Sequence, residues 1–497
     1  MNVVSPTATS RTLNSGAIAT LREAITGSVI TPTDSDYEQA RSVWNGMIDR
    51  YPALVARCAT VGDVIAAVAF AAAHDLPVAV RGGGHSVAGH STCDGGIVID
   101  LSQMKRIDID PKARIAHAGA GITWGELDAA TQPYGLATPG GVFSRTGIAG
   151  LTLGGGYGWL SATYGLSCDN LIEAEVVTAD GRVIVASEEE NPELLWGLRG
   201  GGGNFGIVTR FTYRLHPVGP QSYLAVALHD GEGEATVRAL RFFRDFCETA
   251  PDEVTLIAVC GVVPAHDEVY PKATHGRRYV MLGGHYVGPL KEGERLLRPL
   301  REFAEPLVDF SGDMPYVDVQ MLWDEEYPDG DRYYWKSVNM SRFDEEAIAR
   351  IAARAREQSS PLSTTDIWHV GGAFKQAQAD RSAFRGRDAA FLLSAASHWG
   401  DPTDDARNVR WAREFVAAME PYSDGSRYLN FAGFEEEGEA MMRSSFGPHY
   451  ERLLALKRCY DPTNLFHLNQ NIDPAGGRLL TEDRDRRPKP LADRGLV

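Results

Sequence analysis

The sequence predicts an α+β protein of two or three domains, on three observations. At 497 residues the chain is too long for one ordinary hydrophobic core. Its N-terminal region alternates helix and strand patterns and carries three glycine clusters roughly sixty residues apart. Beyond residue 220 glycine thins out and aromatics rise, as in "DRYYWKSVNM", "DIWHVGGAF", "FLLSAASHW" and "RYLNFAGF". Strands and amphipathic helices alternate there, as in an α+β layer.

The elements follow in order. "TVGDVIAAVAFAAAHDL" (60–76) has helical spacing and a Thr/Asp start. "PVAVRGGG" (77–84) is an apolar run entering a glycine turn, and "GGIVIDLS" (95–102) is a second strand. "ARIAHAGAGITWGELDAAT" (113–131) reads as strand, turn and helix. The second glycine cluster, "GIAGLTLGGGYGWLSATYG" (147–165), precedes "AEVVTADGRVIVAS" (174–187), a hairpin with Asp180-Gly181 at its turn. The third, "RGGGGNFGIVTRFTYRL" (199–215), runs into a strand, and "HPVGP" (216–220) reads as a linker. Near the end, "YERLLALKRCYDPTNLFHLNQNI" (450–472) is a helix stopped by Asp461-Pro462, then an Asn-rich segment.

Bulk properties narrow the function. The formal charge of −17 argues against nucleic-acid or anionic-membrane binding, which need basic surfaces. It does not argue against a phosphate-bearing cofactor, which backbone amides can hold. Six scattered cysteines with no CxxC pair suit reduced thiols, and no metal site is expected. The N-terminus is polar without an apolar core, and no run of 18 apolar residues occurs. A cytoplasmic location is therefore expected, with a loose tail over 476–497.

The glycine clusters do not fit the common phosphate loops. "GHSVAGHS" (84–91) nearly fits GxxxxGK[ST], but His90 stands where a lysine must reach the phosphates. "GGGNFG" (201–206) matches GxGxxG, yet a helix precedes it and a strand follows, the reverse of a dinucleotide-binding βαβ unit. Three clusters together favour a long ligand threaded between backbone segments, and a bulky dinucleotide is the natural candidate.

Four stretches carry a resemblance: "VRGGGHS" (80–86), "GLTLGGGYGWLSATYGLSCDNL" (150–171), "RGGGGNFGIVT" (199–209) and "YDPTNLFHLNQNI" (460–472). Together they resemble the FAD-linked oxidases of the vanillyl-alcohol-oxidase/PCMH superfamily, berberine-bridge-enzyme-like subgroup. Within it the chain is similar to the bacterial natural-product-tailoring branch that includes the enterocin-type favorskiiase. The resemblance implies a PCMH-type FAD-binding domain of two α/β subdomains over 1–218, with its core about 50–218. It implies an antiparallel-sheet substrate domain with helices over 219–440, and a segment over 441–475 returning to the FAD domain.

It also implies the site. Arg81, Gly82, Gly83, Gly84, His85 and Ser86 would hold FAD, with His85 bonded covalently to the flavin 8α carbon. His90, Gly147, Gly150, Gly154, Gly155, Gly156, Gly158, Trp159, Asn204, Gly206, Ile207, Val208, Asn430, Asn469 and Asn471 complete the cofactor contacts. Many relatives carry a second, cysteinyl link four residues before the glycine that is here Gly147. That position is Phe143, so one covalent link is expected; Cys93 and Cys168 read as packing residues. Thr146 occupies the position that tunes oxygen access at the flavin edge. The carboxylate base that several relatives carry on the strand matching "FLLSAASHW" is absent, since Ser394 and Ala395 stand there.

Replacement bases come from "TTDIWHVGGAF", where Asp366 and His369 are candidates. On a strand Asp366 and Trp368 share one face and Ile367 and His369 the other, and Asp366 with Trp368 is preferred as the inward pair. Tyr428 matches a family tyrosine that acts as base or substrate contact, and also touches the flavin. Tyr334 and Lys336 resemble a segment over the flavin's substrate side. "EEEGE" (435–439) reads as a solvated loop. The expected activity is oxidation of a natural-product-like small molecule with O2 as acceptor. A flavin-dependent oxygenase acting on a polyketide-like substrate and a sugar or oligosaccharide oxidase are the alternatives, and oligomeric state stays open.

Overall fold

The computed structural model describes residues 13–265, 268–377, 379–436 and 438–476. The expected tail from 477 onward and the first twelve residues of the polar N-terminus lie outside the described residues.

The N-terminal region builds two sheets. In the first, Ser28–Ile30, Leu54–Arg57, Ile97–Asp100 and Val78–Arg81 lie in that spatial order. The last three run parallel, and Ser28–Ile30 is an antiparallel edge. Parallel neighbours need a crossover, and the helix Val61–Ala73 supplies it. That helix starts where the Thr/Asp signal put it: Thr60 and Asp63 bond reciprocally across its first turn.

The second sheet is antiparallel, ordered Ile107–Asp110, Ile115–Gly119, Ile207–Arg214, Leu171–Val177, Val183–Ser187. The last two form the expected hairpin around Asp180-Gly181. One core spans both sheets and their helices, built on Trp124, Phe205, Phe211 and Tyr213.

Strands from Gln221 onward form a separate eight-stranded antiparallel sheet. Its central run is Val254–Val262, Thr364–His369, Phe391–Trp399 and, at one edge, Arg332–Met340. The helices Glu234–Cys247, Leu290–Arg301, Glu345–Arg356 and Asp405–Met419 cover one face. The other face packs on the N-terminal region through Tyr157, Trp159, Trp368, Leu392 and Tyr428. With both faces covered, Phe391–Trp399 is buried at every position, and no polar alternation marks which side is which.

The C-terminal helices Glu439–Phe446 and Tyr450–Tyr460 return to the N-terminal core. Lys457 fixes that return. Its wholly buried ammonium donates to Asn204 O at 3.0 Å, Phe466 O at 2.9 Å and the Asp461 carboxylate at 2.7 Å. The six cysteines are free thiols, five of them buried, and burial pushes Cys93 up to about 12. No helix of the described residues is long and apolar enough to cross a membrane.

Candidate functional site

A cleft runs between the glycine loops of the N-terminal region and the large sheet. Three backbone segments form its floor: 82–86, 146–150 and 200–203. The segment 466–470 closes one end, and Trp335, Tyr428, Asn430 and Phe431 form the far wall. The first two loops meet so closely that a Cβ on Gly83 would collide with the Gly147 backbone. This is why glycine is required at both positions.

The site fits FAD on observations internal to it. Among the described residues, none accepts a hydrogen bond from the N–H groups of residues 82–86, which line the cleft, so these donors are free for a ligand anion as in a backbone nest. Nearby buried polar atoms also lack partners: His90 Nε2, Asn469 Oδ1, Gln470 Oε1 and Asn471 Oδ1. Native proteins rarely leave such groups unsatisfied, and the oxygens, hydroxyls and ring edges of a dinucleotide supply what they need. His85 lines the same cleft. Burial pushes its imidazole down to about 4, so the ring is neutral at physiological pH.

The structure brings together most of the expected cofactor residues. Gly82, Gly83, Gly84, His85, Ser86, His90, Thr146, Gly147, Gly150, Gly154, Gly206, Ile207, Val208, Tyr428, Asn430 and Asn469 all line the cleft. Others sit behind it. Arg81 braces the loop instead, donating to Ser91 O and Ala40 O. Asn204 is wholly buried and ties the C-terminal segment down, its amide donating to Gly201 O and Gln470 O and its carbonyl accepting from Ile472 N. Gly155, Gly156 and Gly158 form the turn behind Tyr428, and Asn471 lies beside the closing segment. Trp159 is a core residue packed on Trp323 and Trp368 at 5.0 and 5.6 Å.

The expected substrate-side residues need three corrections. Tyr334 faces the helices, bonded to Glu436 and Arg413 at 2.9 Å each. Lys336 shares that face and pairs with Glu436 at 2.5 Å. The strand presents Trp335 to the cleft instead, because side chains one residue apart point to opposite faces. His369 also turns to the helix side, where its ring lies 5.6 Å from Phe391 and lines a separate hollow with Cys247 and Phe343.

Asp366 lies on the cleft side of the sheet, as Ile367 packs among the helices and Trp368 against the N-terminal region. It stands directly across from Ser394 in the neighbouring strand. Burial pushes its carboxyl up to about 7, and its charge acts on the buried phenols of Tyr327 and Tyr279. A carboxyl thus stands one strand over from Ser394, on the cleft side of the sheet.

Tyr428 is fixed by three donors on its phenol oxygen: Gly156 N at 3.1 Å, Tyr157 N at 3.2 Å and Asn430 Nδ2 at 3.0 Å. Burial outweighs these bonds and holds the phenol above its ordinary value. Three donors on that one oxygen fix the phenol's position beside the cleft.

Two contributors went unnoticed in the sequence. Trp335 sat beside the residues chosen, and only the sheet's phase reveals it. Trp44 stacks on His85 from a segment with no glycine cluster or motif to mark it.

Comparison with known proteins agrees with this geometry. Residues 52–187 match the FAD binding domain family, and residues 427–473 match the berberine and berberine-like family. An FAD-linked oxidoreductase of Bacillus subtilis, YgaK, is 30% identical over 460 residues, covering 90% of this chain and 97% of its own. The (R)-6-hydroxynicotine oxidase of Paenarthrobacter nicotinovorans is 33% identical over 464 residues, covering 91% and 98%. The crystal structure of 6-hydroxy-D-nicotine oxidase from Arthrobacter nicotinovorans superposes with a TM-score of 0.80 at 31% identity, over 90% of this chain and 98% of that one. With both ends of the flavin cleft matched and full-length relatives at this identity, the chain belongs to the berberine-bridge-enzyme-like FAD-linked oxidoreductases of the vanillyl-alcohol-oxidase/PCMH fold.

Proposed function

We propose that this enzyme is an oxidase of small, ring-bearing molecules, holding FAD through a single covalent bond at His85 and using O2 as acceptor. Bound FAD supplies a two-electron acceptor that takes hydride from a substrate C–H bond and returns the electrons to O2 as H2O2. The observation that carries the reading is the Tyr428 oxygen with its three N–H donors, beside the cleft. It fixes the phenol beside the cleft, where in this reading its hydroxyl contacts the substrate's heteroatom and orients the adjacent C–H. Asp366, held near neutrality by burial, takes the heteroatom's proton as its base.

The walls set the substrate class. Phe143 and Trp335 line the cleft 6.2 Å apart, and Phe143 is backed by Tyr327 at 4.9 Å and Trp323 at 6.5 Å. Such a wall suits a flat aromatic or polyketide-like substrate. A relative named for oxidising 6-hydroxynicotine supports a small heteroaromatic of this kind. Phe143 also supports a single link, since it packs 5.8 Å from His85 where many relatives carry the second attachment residue. Thr146, lining the cleft with a small side chain, leaves room for oxygen.

The test is anaerobic mixing of the flavin-loaded enzyme with ring-bearing alcohols and amines. Bleaching of the flavin absorbance, followed by recovery in air with one H2O2 per product, is expected. Products that carry oxygen from isotopically labelled O2 would show an oxygenase instead. Failure of every ring-bearing substrate alongside bleaching by oligosaccharides would overturn the substrate class.

A further inference from the structure

The segment 44–46 joins the flavin loop to the large sheet. Trp44 N donates to Gly84 O at 3.3 Å, and Gly46 N donates to Asp331 O at 2.7 Å. Asn45, wholly buried, donates to Val87 O and Tyr333 O at 2.9 Å each and accepts from Tyr333 N at 3.1 Å. The Trp44 indole donates to Tyr327 O at 3.1 Å. Its ring lies 3.9 Å from the His85 ring at 14°, and 3.8 Å from the Tyr333 ring at 12°. Tyr333, Trp44 and His85 therefore form one continuous stack, with Phe143 beyond the histidine.

His85 needs such a support. Among the described residues, no other residue hydrogen-bonds its ring. A histidine that must use a particular ring nitrogen normally has its orientation fixed by a bond to the other one. Among the described residues the ring's one hydrogen-bond partner is its own backbone, and flat contact with Trp44 fixes its plane.

We propose that Trp44 is a positioning residue for covalent flavin attachment, and that Tyr333 makes the attachment depend on a docked large sheet. This rests on the covalent reading of His85 given above. Attachment forms a C–N bond between an imidazole nitrogen and the flavin 8α carbon. One 8α C–H and the imidazole N–H are lost as protons, and the two electrons left behind pass to O2, which with those protons becomes H2O2. Only the neutral ring has the lone pair this requires, and the buried stack keeps it neutral. Removing the platform frees the ring to rotate, so the bond forms more slowly while the glycine loops still bind FAD.

The experiment follows acid-stable flavin after FAD is added to protein expressed under riboflavin starvation, with total bound FAD measured in parallel. Trp44→Leu is expected to slow attachment by about tenfold or more, and Trp44→Phe by no more than about threefold, with total FAD kept. Tyr333→Leu, whose main-chain pairing is intact, is expected to slow it as well. His85→Ala must give none. Attachment at the wild-type rate in Trp44→Leu, or total FAD falling in step with covalent FAD, overturns the proposal. Should Trp44→Leu not fold, Tyr333→Leu decides: a wild-type rate there overturns it and a slowed rate supports it. Wild-type enzyme whose flavin is wholly released by acid overturns the covalent reading itself, a result distinct from the others.

Discussion

In the proposed reading Asp366 and Tyr428 divide the proton chemistry, and pH dependence separates them. A base must be ionised to act, so activity resting on Asp366 is present above its titration and lost as pH falls through it. With its carboxyl pushed up to about 7, kcat/KM should rise through that region and level off above it. Asp366→Asn should remove this limb and cost roughly 10²–10⁴ in rate. A limb near 7 that survives the substitution would reject Asp366. Tyr428→Phe should leave the limb in place while lowering kcat/KM by about 10² through lost orientation. It also strands the buried N–H groups of Gly156 and Tyr157, at about 1–3 kcal/mol each, so the melting temperature should fall with the rate. An unchanged melting temperature would mean those donors had found other partners. The sequence reading put these two side chains on the face that meets the N-terminal region, where the structure has them, but put Tyr334, Lys336 and His369 there too, and for one reason. Their strands are covered on both faces, so period-two alternation reveals which residues share a face without saying which face meets the cleft. At 364–369 Trp368 offered a guide, whereas "RYYWKS" offers large side chains on both faces.

At the scale of elements, the glycine loops were the legible part. A loop that meets another backbone must spend glycine at the contact, and sequence displays that cost directly. Gly83→Ala tests it: the added methyl would strike the Gly147 backbone, so the loops must separate and FAD binding should drop by at least about tenfold. Unchanged affinity would show that the loops yield freely. What the clusters do not display is which members touch the ligand and which pack behind it. Gly156, Gly158, Trp159 and Asn204 share the signature stretches but serve the support behind the cleft. The stop at Asp461-Pro462 was legible, whereas the role of Lys457 was not, since a lysine in "LALKRCY" reads as an exposed helix residue. Lys457→Met leaves the buried Asp461 carboxylate without its cation, a loss of about 3–5 kcal/mol. Because residues 466–470 line the cleft, FAD should bind more weakly in the same variant. A stable Lys457→Met protein with full FAD affinity would remove the pin from the account.

Across the whole molecule, the contact between the N-terminal region and the large sheet carries a buried acid that should set how stability depends on pH. Asp128, on the helix Trp124–Thr131, accepts from Gln320 Nε2 at 3.1 Å, and Gln320 belongs to the helix Tyr316–Met321 that follows the large sheet's edge. Around this contact Trp124 Nε1, Asp128 Oδ1, Gln320 Oε1 and Tyr316 Oη have no partners among the described residues. Burial pushes the Asp128 carboxyl up to about 7 from its ordinary 3.8. Between those two values the folded protein binds more protons than the unfolded chain, so stability falls as pH rises through the window. Below it both states are protonated and the contact costs nothing; above it the folded state bears the whole penalty, up to about 4 kcal/mol by the size of the shift. Asp366 adds a term of the same sign. Asp128→Asn keeps the shape and removes the charge, so its melting temperature should match the wild type near about pH 4 and exceed it increasingly toward about pH 8. The comparison uses Asp366→Asn as a second variant, because each should recover part of the slope and the two together more than either. Melting curves of Asp128→Asn parallel to the wild type across that range would mean that Asp128 is ionised in the folded protein, with water or a counter-charge reaching the contact. The buried acid would then have no hold on the docking of the two halves.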